Sequence, residues 1–150
     1  MEGRSEGLVL ELEWVLAAAP PVVFAAFTDP TQLVRWWGPS GFTTPSVDFQ
    51  ARAGESYRIE MQPPEGDPFH LAGEFREVVP ASRLAYTFVW EEPDPDDVET
   101  LVALSFRDRG ESTEVRLTQG PFKTEGRRAL HRDGWSDSFV KLERLISTQM

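Results

Sequence analysis

The sequence contains no cysteine, which excludes disulfide bonds, thiolate metal sites and a cysteine nucleophile. Its two histidines, His70 and His131, are far apart and form no HxxH or HExxH spacing, so we expect neither a metal ion nor another cofactor. No apolar run approaches the roughly 18 residues that a membrane-spanning helix requires. Residues 1–14 also lack the charged-then-apolar order of a secretory signal, and we therefore expect a cytoplasmic protein.

Basic residues are scarce, because 15 Lys and Arg face 25 Asp and Glu and leave a formal net charge of −10. Such a protein is repelled by phosphate backbones, so we expect no nucleic-acid partner and no membrane partner. Part of the acid lies in residues 91–99, EEPDPDDVE, where the prolines predict a solvated loop. No glycine-rich phosphate loop is present, and Ser40 lies in GPSG rather than in the GxSxG elbow of serine hydrolases.

Aromatic residues, in contrast, are plentiful, with ten Phe, five Trp and two Tyr. Residues 124–150 contain no proline and carry a stripe at helical spacing, made of His131, Trp135, Phe139, Leu142 and Ile146. At about 1.5 Å per residue, this segment predicts an amphipathic helix about 35 Å long, enough to cross a small domain.

The chain before that helix alternates between apolar and polar residues in seven segments, the clearest of which runs from Leu84 to Trp90. Two short helical patterns lie between the first and second of these segments, over residues 17–28 and 29–35. The predicted order is β-α-α-β-β-β-β-β-β-α. One-sided alternation predicts an α+β protein in which a curved antiparallel sheet is covered on one face by the terminal helix, as a single domain over residues 8–148.

Several motifs occur in a characteristic order: VFAAFTDP at residues 23–30, WWGPSGF at 36–42, GEFREV at 73–78 and GW at 134–135. With these motifs the chain resembles the START-like (SRPBCC) superfamily, and more narrowly the bacterial single-domain homologues of the activator of the heat-shock-protein-90 ATPase. The resemblance implies the helix-grip fold and an association with stress response. It differs at Ala53, where a second glycine is common, and it does not include the additional N-terminal domain of the eukaryotic activators.

We expect the candidate site in the gap between sheet and terminal helix, into which many aromatic side chains project. The predicted ligand-binding residues are Trp36, Trp37, Tyr57, Met61, Phe75, Tyr86, Phe88, Trp90, His131, Trp135 and Phe139. The same residues describe either an open pocket or a closed core. Arg127 and Arg128 precede His131 by about one turn, so these three side chains form either a polar mouth for a carboxylate or phenolate or simply a solvated helix start.

Three functions are compatible with this pattern, because the superfamily hosts ligand carriers, chaperone regulators and cyclases. The first is non-catalytic binding of a small hydrophobic ligand, either aromatic or anionic. The second is a protein-interaction or chaperone-cofactor role that uses residues 91–99 or an exposed apolar patch. The third is a cyclase or dehydratase for which His131, Tyr86 and Glu74 are the available acid–base groups, although strand parity directs Glu74 away. A homodimer is compatible with all three.

Overall fold

The structure is a computed structural model that describes residues 8–149 of the chain. Its elements follow the predicted order: β1 (Leu10–Leu16), α1 (Pro20–Thr28), α2 (Pro30–Leu33), β2 (Thr43–Phe49), β3 (Ser56–Gln62), β4 (Phe69–Val79), β5 (Arg83–Trp90), β6 (Thr100–Asp108), β7 (Thr113–Gly120) and α3 (Glu125–Gln149). The predicted α+β class and element order are therefore confirmed. None of the described helices is long and apolar enough to cross a membrane.

The seven strands form one antiparallel sheet in the order β1-β7-β6-β5-β4-β3-β2. Only the first strand is out of sequence, because β1 pairs with β7 and places Leu12 opposite Leu117. Alternate residues of each strand face the interior; on β5 these include Leu84, Tyr86 and Phe88, all buried. The period of two in the sequence thus marks the covered face of the sheet.

Helix α3 packs its apolar stripe onto this face. The hydroxyl of Thr124 accepts a hydrogen bond from the backbone N–H of Arg127 at 3.1 Å and so caps the first turn. Further along, Phe139 is 1% exposed and stacks on Trp14 of β1 with ring centroids 5.4 Å apart. Of the stripe predicted from the sequence, Trp135, Phe139, Leu142 and Ile146 are buried and His131 is half-buried.

The short helices close one end of the sheet and differ slightly from the predicted bounds. Helix α1 begins at Pro20 rather than at residue 17, since the residue before a proline is held extended, as Ala19 is at ψ 155°. Asp29 lies between the helices and caps α2 through a bond from the N–H of Thr31 to its carboxylate. After Leu33 the chain forms consecutive turns, and these turns contain Trp36 and Trp37.

One glycine of the GEFREV motif permits a close crossing of strands. The ring of Tyr57 lies over Gly73 and its hydroxyl donates to the carbonyl oxygen of Thr87 at 2.6 Å. A Cβ atom on residue 73 would lie 2.0 Å from that oxygen and 2.7 Å from the Tyr57 ring. Glycine is therefore required here by the approach of a side chain and not by a turn.

Candidate functional site

A cavity of about 520 Å³ lies between the sheet and the first half of α3. Its floor and walls come from β3, β4, β5, the loop after α2 and one face of α3. The apolar and aromatic lining side chains are Trp37, Pro39, Phe42, Met61, Phe69, Phe88, Trp90, Leu130 and Trp135. The gap that the sequence left undecided is thus open here. A space of this size corresponds to the lower half of the range found for small-molecule sites.

Two edge-to-face aromatic pairs form the walls. Phe88 and Trp90 have ring centroids 5.1 Å apart at an interplanar angle of 89°, and Trp37 and Trp135 are 5.2 Å apart at 83°. These geometries match the quadrupoles of the rings. The interlocked rings hold each other in place and define the shape of the cavity before any ligand enters.

The indole of Trp135 is also fixed by a buried polar chain. Its Nε1 donates to Gln119 at 2.8 Å, and the amide nitrogen of Gln119 donates to the hydroxyl of Thr100 at 2.9 Å. Gln119 is 1% exposed, so its amide needs both partners. This chain connects β6 and β7 to α3 and sets the orientation of the indole.

The WWGP turn forms the opposite side of the cavity and is bound to α3. The hydroxyl of Ser138 accepts from the N–H of Gly38 at 3.1 Å and lies 3.0 Å from the Gly38 carbonyl oxygen. Lys141 donates to the carbonyl oxygen of Pro39 at 3.2 Å, and Asp137 accepts from the N–H of Ser40 at 3.1 Å. Gly38 has φ +100°, which favours glycine. The turn therefore places Trp37 against the helix.

His131 lines the same cavity and is half-buried among aromatic rings. Its imidazole centroid is 5.3 Å from that of Phe88, 6.0 Å from Trp90 and 4.9 Å from Phe122. Burial, with a smaller contribution from the nearby charge of Arg127, lowers the pKa of His131 from 6.5 to about 4. The imidazole is therefore neutral at physiological pH.

Residues 91–99 form a largely exposed loop, as predicted, and this loop also contacts the start of α3 and contributes to the rim of the cavity. Arg127 has a side chain only 16% exposed and forms ion pairs with Asp94, Asp96 and Asp97. Desolvation alone would lower the pKa of Arg127, but these carboxylates raise it overall. One largely buried guanidinium with three carboxylates thus connects this exposed loop to α3.

The two arginines expected at a polar mouth are both bound by other groups of the protein. Besides Arg127, Arg128 forms an ion pair with Glu125 and reaches the backbone oxygen of Val9. Among the lining residues in the part of the chain that the structure describes, Arg127 is the one basic side chain. Five carboxylates accompany it: Glu92, Asp94, Asp97, Asp133 and Asp137. The rim is consequently acidic.

Six of the eleven residues that the sequence predicted as ligand-binding line this cavity: Trp37, Met61, Phe88, Trp90, His131 and Trp135. The other five lie deeper in the core. Tyr57, Phe75 and Tyr86 surround a separate space of only about 20 Å³. Trp36 is 0% exposed and donates its Nε1 to the carbonyl oxygen of Ala26 at 3.0 Å. Phe139 packs on Trp14.

Sequence reasoning did not name several lining residues. Phe69 shares the strand parity of Leu71 and Phe75, so the alternation of β4 contains the signal that finds it. Gly134 and Ser138 line the cavity because the WWGP turn packs against α3. No local sequence pattern predicts that packing. The acidic residues 91–99 were predicted as a solvated loop and not as part of a cavity, because acidic side chains usually mark a solvated face.

Of the three acid–base groups considered for a cyclase, His131 alone lines the cavity. Burial raises the pKa of Tyr86, with Tyr57 also raised by burial and by its neighbour Tyr86. Neither tyrosine lines the cavity, and Glu74 faces Arg76 at 3.5 Å. His131 is the one candidate base that lies there, and a pKa of about 4 makes it a weak base at neutral pH.

One group of side chains has the composition of a cation site, with ligand atoms of His70, Glu91 and Glu92 within 4.8 Å of one another. Each is already engaged within the protein. Arg58 binds both oxygens of Glu91 at 2.8 and 2.9 Å. Glu92 accepts from the backbone N–H of His70 and contacts its Nδ1, both at 2.8 Å. The cluster acts as a clamp between β3, β4 and the rim segment.

Comparison with known proteins agrees with this architecture. Residues 17–147 match the family model described as Activator of Hsp90 ATPase homolog 1-like protein. No curated protein matched the chain. Among solved structures, an AHSA1 protein from Silicibacter pomeroyi shares 27% identity with a TM-score of 0.84, over 95% of this chain and 99% of that one. A protein from Nitrosomonas europaea shares 25% identity with a TM-score of 0.81, over 97% of both chains.

A more distant neighbour is DynU16, described as a putative protein in the dynemicin biosynthetic locus. It shares 22% identity with a TM-score of 0.77, over 95% of this chain and 48% of that one, and this likeness concerns the fold alone. The sheet that grips a C-terminal helix is the START-like helix-grip fold, as the resemblance implied. With a family model that spans nearly the whole chain, this protein belongs to the Activator of Hsp90 ATPase homolog 1-like family.

Proposed function

We propose that the protein binds a small apolar ligand containing an aromatic ring, held between the sheet and α3. The observation that carries the proposal is the open cavity of about 520 Å³ between Trp90 and Trp135. Apolar side chains normally pack against each other, because an apolar space that stays open to water leaves apolar surface exposed at a cost in stability. Retaining a large apolar space at this point supports a binding role for it.

Hydrogen bonds hold the lining side chains in position before a ligand binds. The Trp135–Gln119–Thr100 chain and the bonds between Ser138 and Gly38 hold opposite walls at fixed positions. A ligand that enters such a site does not have to order these side chains, so less of the contact energy is lost to entropy. Aromatic rings on both walls favour a flat aromatic group over a flexible chain.

We propose binding without catalysis. The neutral imidazole of His131 can exchange hydrogen bonds with a polar group of the ligand, but its low pKa, about 4, gives it little strength as a general base at neutral pH. An anionic ligand, the other class that the sequence left open, would meet the rim carboxylates of Asp133 and Asp137. Arg127 is already paired with three carboxylates and offers weak compensation.

The family description supplies a second candidate, a cofactor role toward a chaperone ATPase. Residues 91–99, the acidic loop at the rim, are one candidate surface for such a partner. The carboxylates of Asp94, Asp96 and Asp97 already bind Arg127, and Glu91 binds Arg58. A pull-down that loses a chaperone when residues 91–99 are neutralised, and keeps it when the cavity is blocked, would favour this second function.

The binding proposal is tested by a thermal-shift panel of neutral, cationic and anionic aromatic compounds and fatty acids. A ligand at 100 times its dissociation constant adds about 2.7 kcal/mol of stability, a rise of several degrees for a domain of this size. We expect the largest shifts from compounds with a flat ring. No shift from any compound of the panel would contradict the proposal.

A pair of variants at Gly134 assigns the shift to the cavity. A Cβ atom there would lie 3.6 Å from Cγ of Pro39, an ordinary contact at the cavity wall. Gly134→Ala should gain about 1 kcal/mol from helix propensity and keep the ligand response. Gly134→Leu has a similar propensity but puts three more carbon atoms into the cavity, so its ligand response should disappear. A full response in Gly134→Leu would place the ligand elsewhere.

A further inference from the structure

We propose that the ligand is an aromatic compound that carries a positively charged organic ammonium group, with the ring inside the cavity and the cation at its rim. This inference rests on the proposed function, because it specifies the charge of the molecule that the same cavity would take. Two independent features of the site carry it: the sign of the charge at the rim and the aromatic side chains that line the same cavity.

The rim has a surplus of negative charge. Five lining carboxylates face one guanidinium, that of Arg127, which leaves four negative charges in excess among the lining residues that the structure describes. The guanidinium itself forms ion pairs with Asp94, Asp96 and Asp97, although its charge still reaches His131 and lowers the pKa of that imidazole. His131 is neutral and adds no positive charge.

The carboxylates differ in how strongly they are engaged. Glu92 contacts His70, and Asp137 accepts a backbone N–H from Ser40. Asp133 is exposed, and within residues 8–149 it has neither an ion pair nor a side-chain hydrogen bond. Its charge is available to a ligand. The net charge of −10 on the whole chain adds a long-range attraction for cations in the same direction.

Aromatic faces provide the second attraction. Trp37, Phe88, Trp90 and Trp135 line the same cavity as the carboxylates. The negative face of a tryptophan or phenylalanine ring attracts an ammonium ion, and the attraction is greatest where water is excluded. The ring and the ammonium group of such a compound would therefore both contact aromatic side chains of the cavity. The ammonium group would in addition contact the rim carboxylates. A neutral analogue lacks the electrostatic part and an anionic analogue is repelled.

The test uses three naphthyl probes that share one ring system and differ in charge. These are the cation 2-(1-naphthyl)ethyltrimethylammonium, the neutral alcohol 2-(1-naphthyl)ethanol and the carboxylate anion of 2-(1-naphthyl)acetic acid. Each is titrated into the full-length protein by isothermal calorimetry. We expect the ammonium probe to bind at least about ten-fold more tightly than the alcohol, and the acetate more weakly than both. Raising the ionic strength from 0.05 to 0.5 M should weaken the ammonium probe and leave the alcohol nearly unchanged.

A matched pair of variants locates the charge that matters. Asp133→Asn should weaken the ammonium probe about three- to five-fold and leave the alcohol unchanged, because it removes one rim charge and no described contact. Glu143→Gln removes the same charge from an exposed position of α3 outside the cavity lining and should leave both probes unchanged.

The outcomes separate the two proposals. If the alcohol binds as tightly as the ammonium probe, or if Asp133→Asn and Glu143→Gln behave alike, the inference about charge is wrong while the aromatic site stands. If the acetate binds most tightly, the inference is also wrong, and the cavity selects anions. If none of the three probes binds, both this inference and the proposed function fail.

Discussion

Replacing Trp36 with alanine is expected to lower the free energy of unfolding by about 3–5 kcal/mol, the usual cost of removing a large aromatic side chain from a core. Trp36 is 0% exposed, its ring lies 4.8 Å from that of Phe27, and its Nε1 donates to the carbonyl oxygen of Ala26. The variant loses these contacts and leaves a closed void. Urea unfolding followed by circular dichroism measures the loss.

The neighbouring Trp37 provides the control for this prediction. It is similarly buried, at 6% exposed, but it lines the open cavity. The space that Trp37→Ala vacates is continuous with that cavity and can fill with water, so we expect a smaller loss of stability together with weaker ligand binding. If Trp36→Ala instead left stability unchanged and abolished ligand binding, Trp36 would be a ligand contact. The assignment of Trp36 to the core and Trp37 to the cavity would then be wrong.

Acidification is expected to destabilise the protein through His131. Its pKa is about 4 in the folded state against 6.5 for an unperturbed imidazole, so the unfolded chain takes up a proton first as the pH falls through this window. The stability associated with the neutral imidazole is therefore present above pH 6.5 and is lost towards pH 4. The loss amounts to about 2 kcal/mol between pH 7 and pH 5, and about 3 kcal/mol by pH 4.

Comparing variants isolates this contribution from that of the many carboxylates. His131→Phe keeps a ring among Phe88, Trp90 and Phe122 but has no proton to gain, so its stability should fall by about 2 kcal/mol less than that of the wild type between pH 7 and pH 5. Equal slopes for His131→Phe and the wild type would show that His131 is solvated.

Most of the fold was accessible from the sequence because its signals are local. Alternation along β5 and the stripe from Trp135 to Ile146 each identify the buried side of one element. A sheet with a single apolar face requires a cover, and the terminal helix is the one long element available. The bounds that differed, at Ala19 and after Leu33, depend on a proline constraint and on turns with little periodicity.

The candidate site was harder to predict, since parity shows which face a side chain takes but not what lies opposite. Tyr86 and Phe88 lie on the same face of the same strand. Tyr86 meets Tyr57 at 5.3 Å in the closed part of the core, whereas Phe88 opens onto the cavity. The difference arises from where α1 and α2 end and where α3 begins, which is a property of the assembled chain.

The rim could not be predicted for a related reason. Proline and aspartate in residues 91–99 are typical of a solvated loop. What connects this loop to the start of α3 is Arg127, about thirty positions later in the chain, together with Lys123, which donates to the carbonyl oxygen of Pro95 at 3.1 Å. Charge pairing over such a distance in sequence leaves no local pattern.

The central claim, that an aromatic ligand occupies the cavity between sheet and α3, is tested most directly by the indole N–H resonances of the five tryptophans. In a titration of the ¹⁵N-labelled protein with 2-(1-naphthyl)ethanol, the neutral probe, we expect saturable shifts at Trp37, Trp90 and Trp135, which line the cavity. Trp36, bound to Ala26, and Trp14, stacked on Phe139, should remain in place. Shifts confined to Trp14 and Trp36, or no saturable shift at all, would contradict the claim.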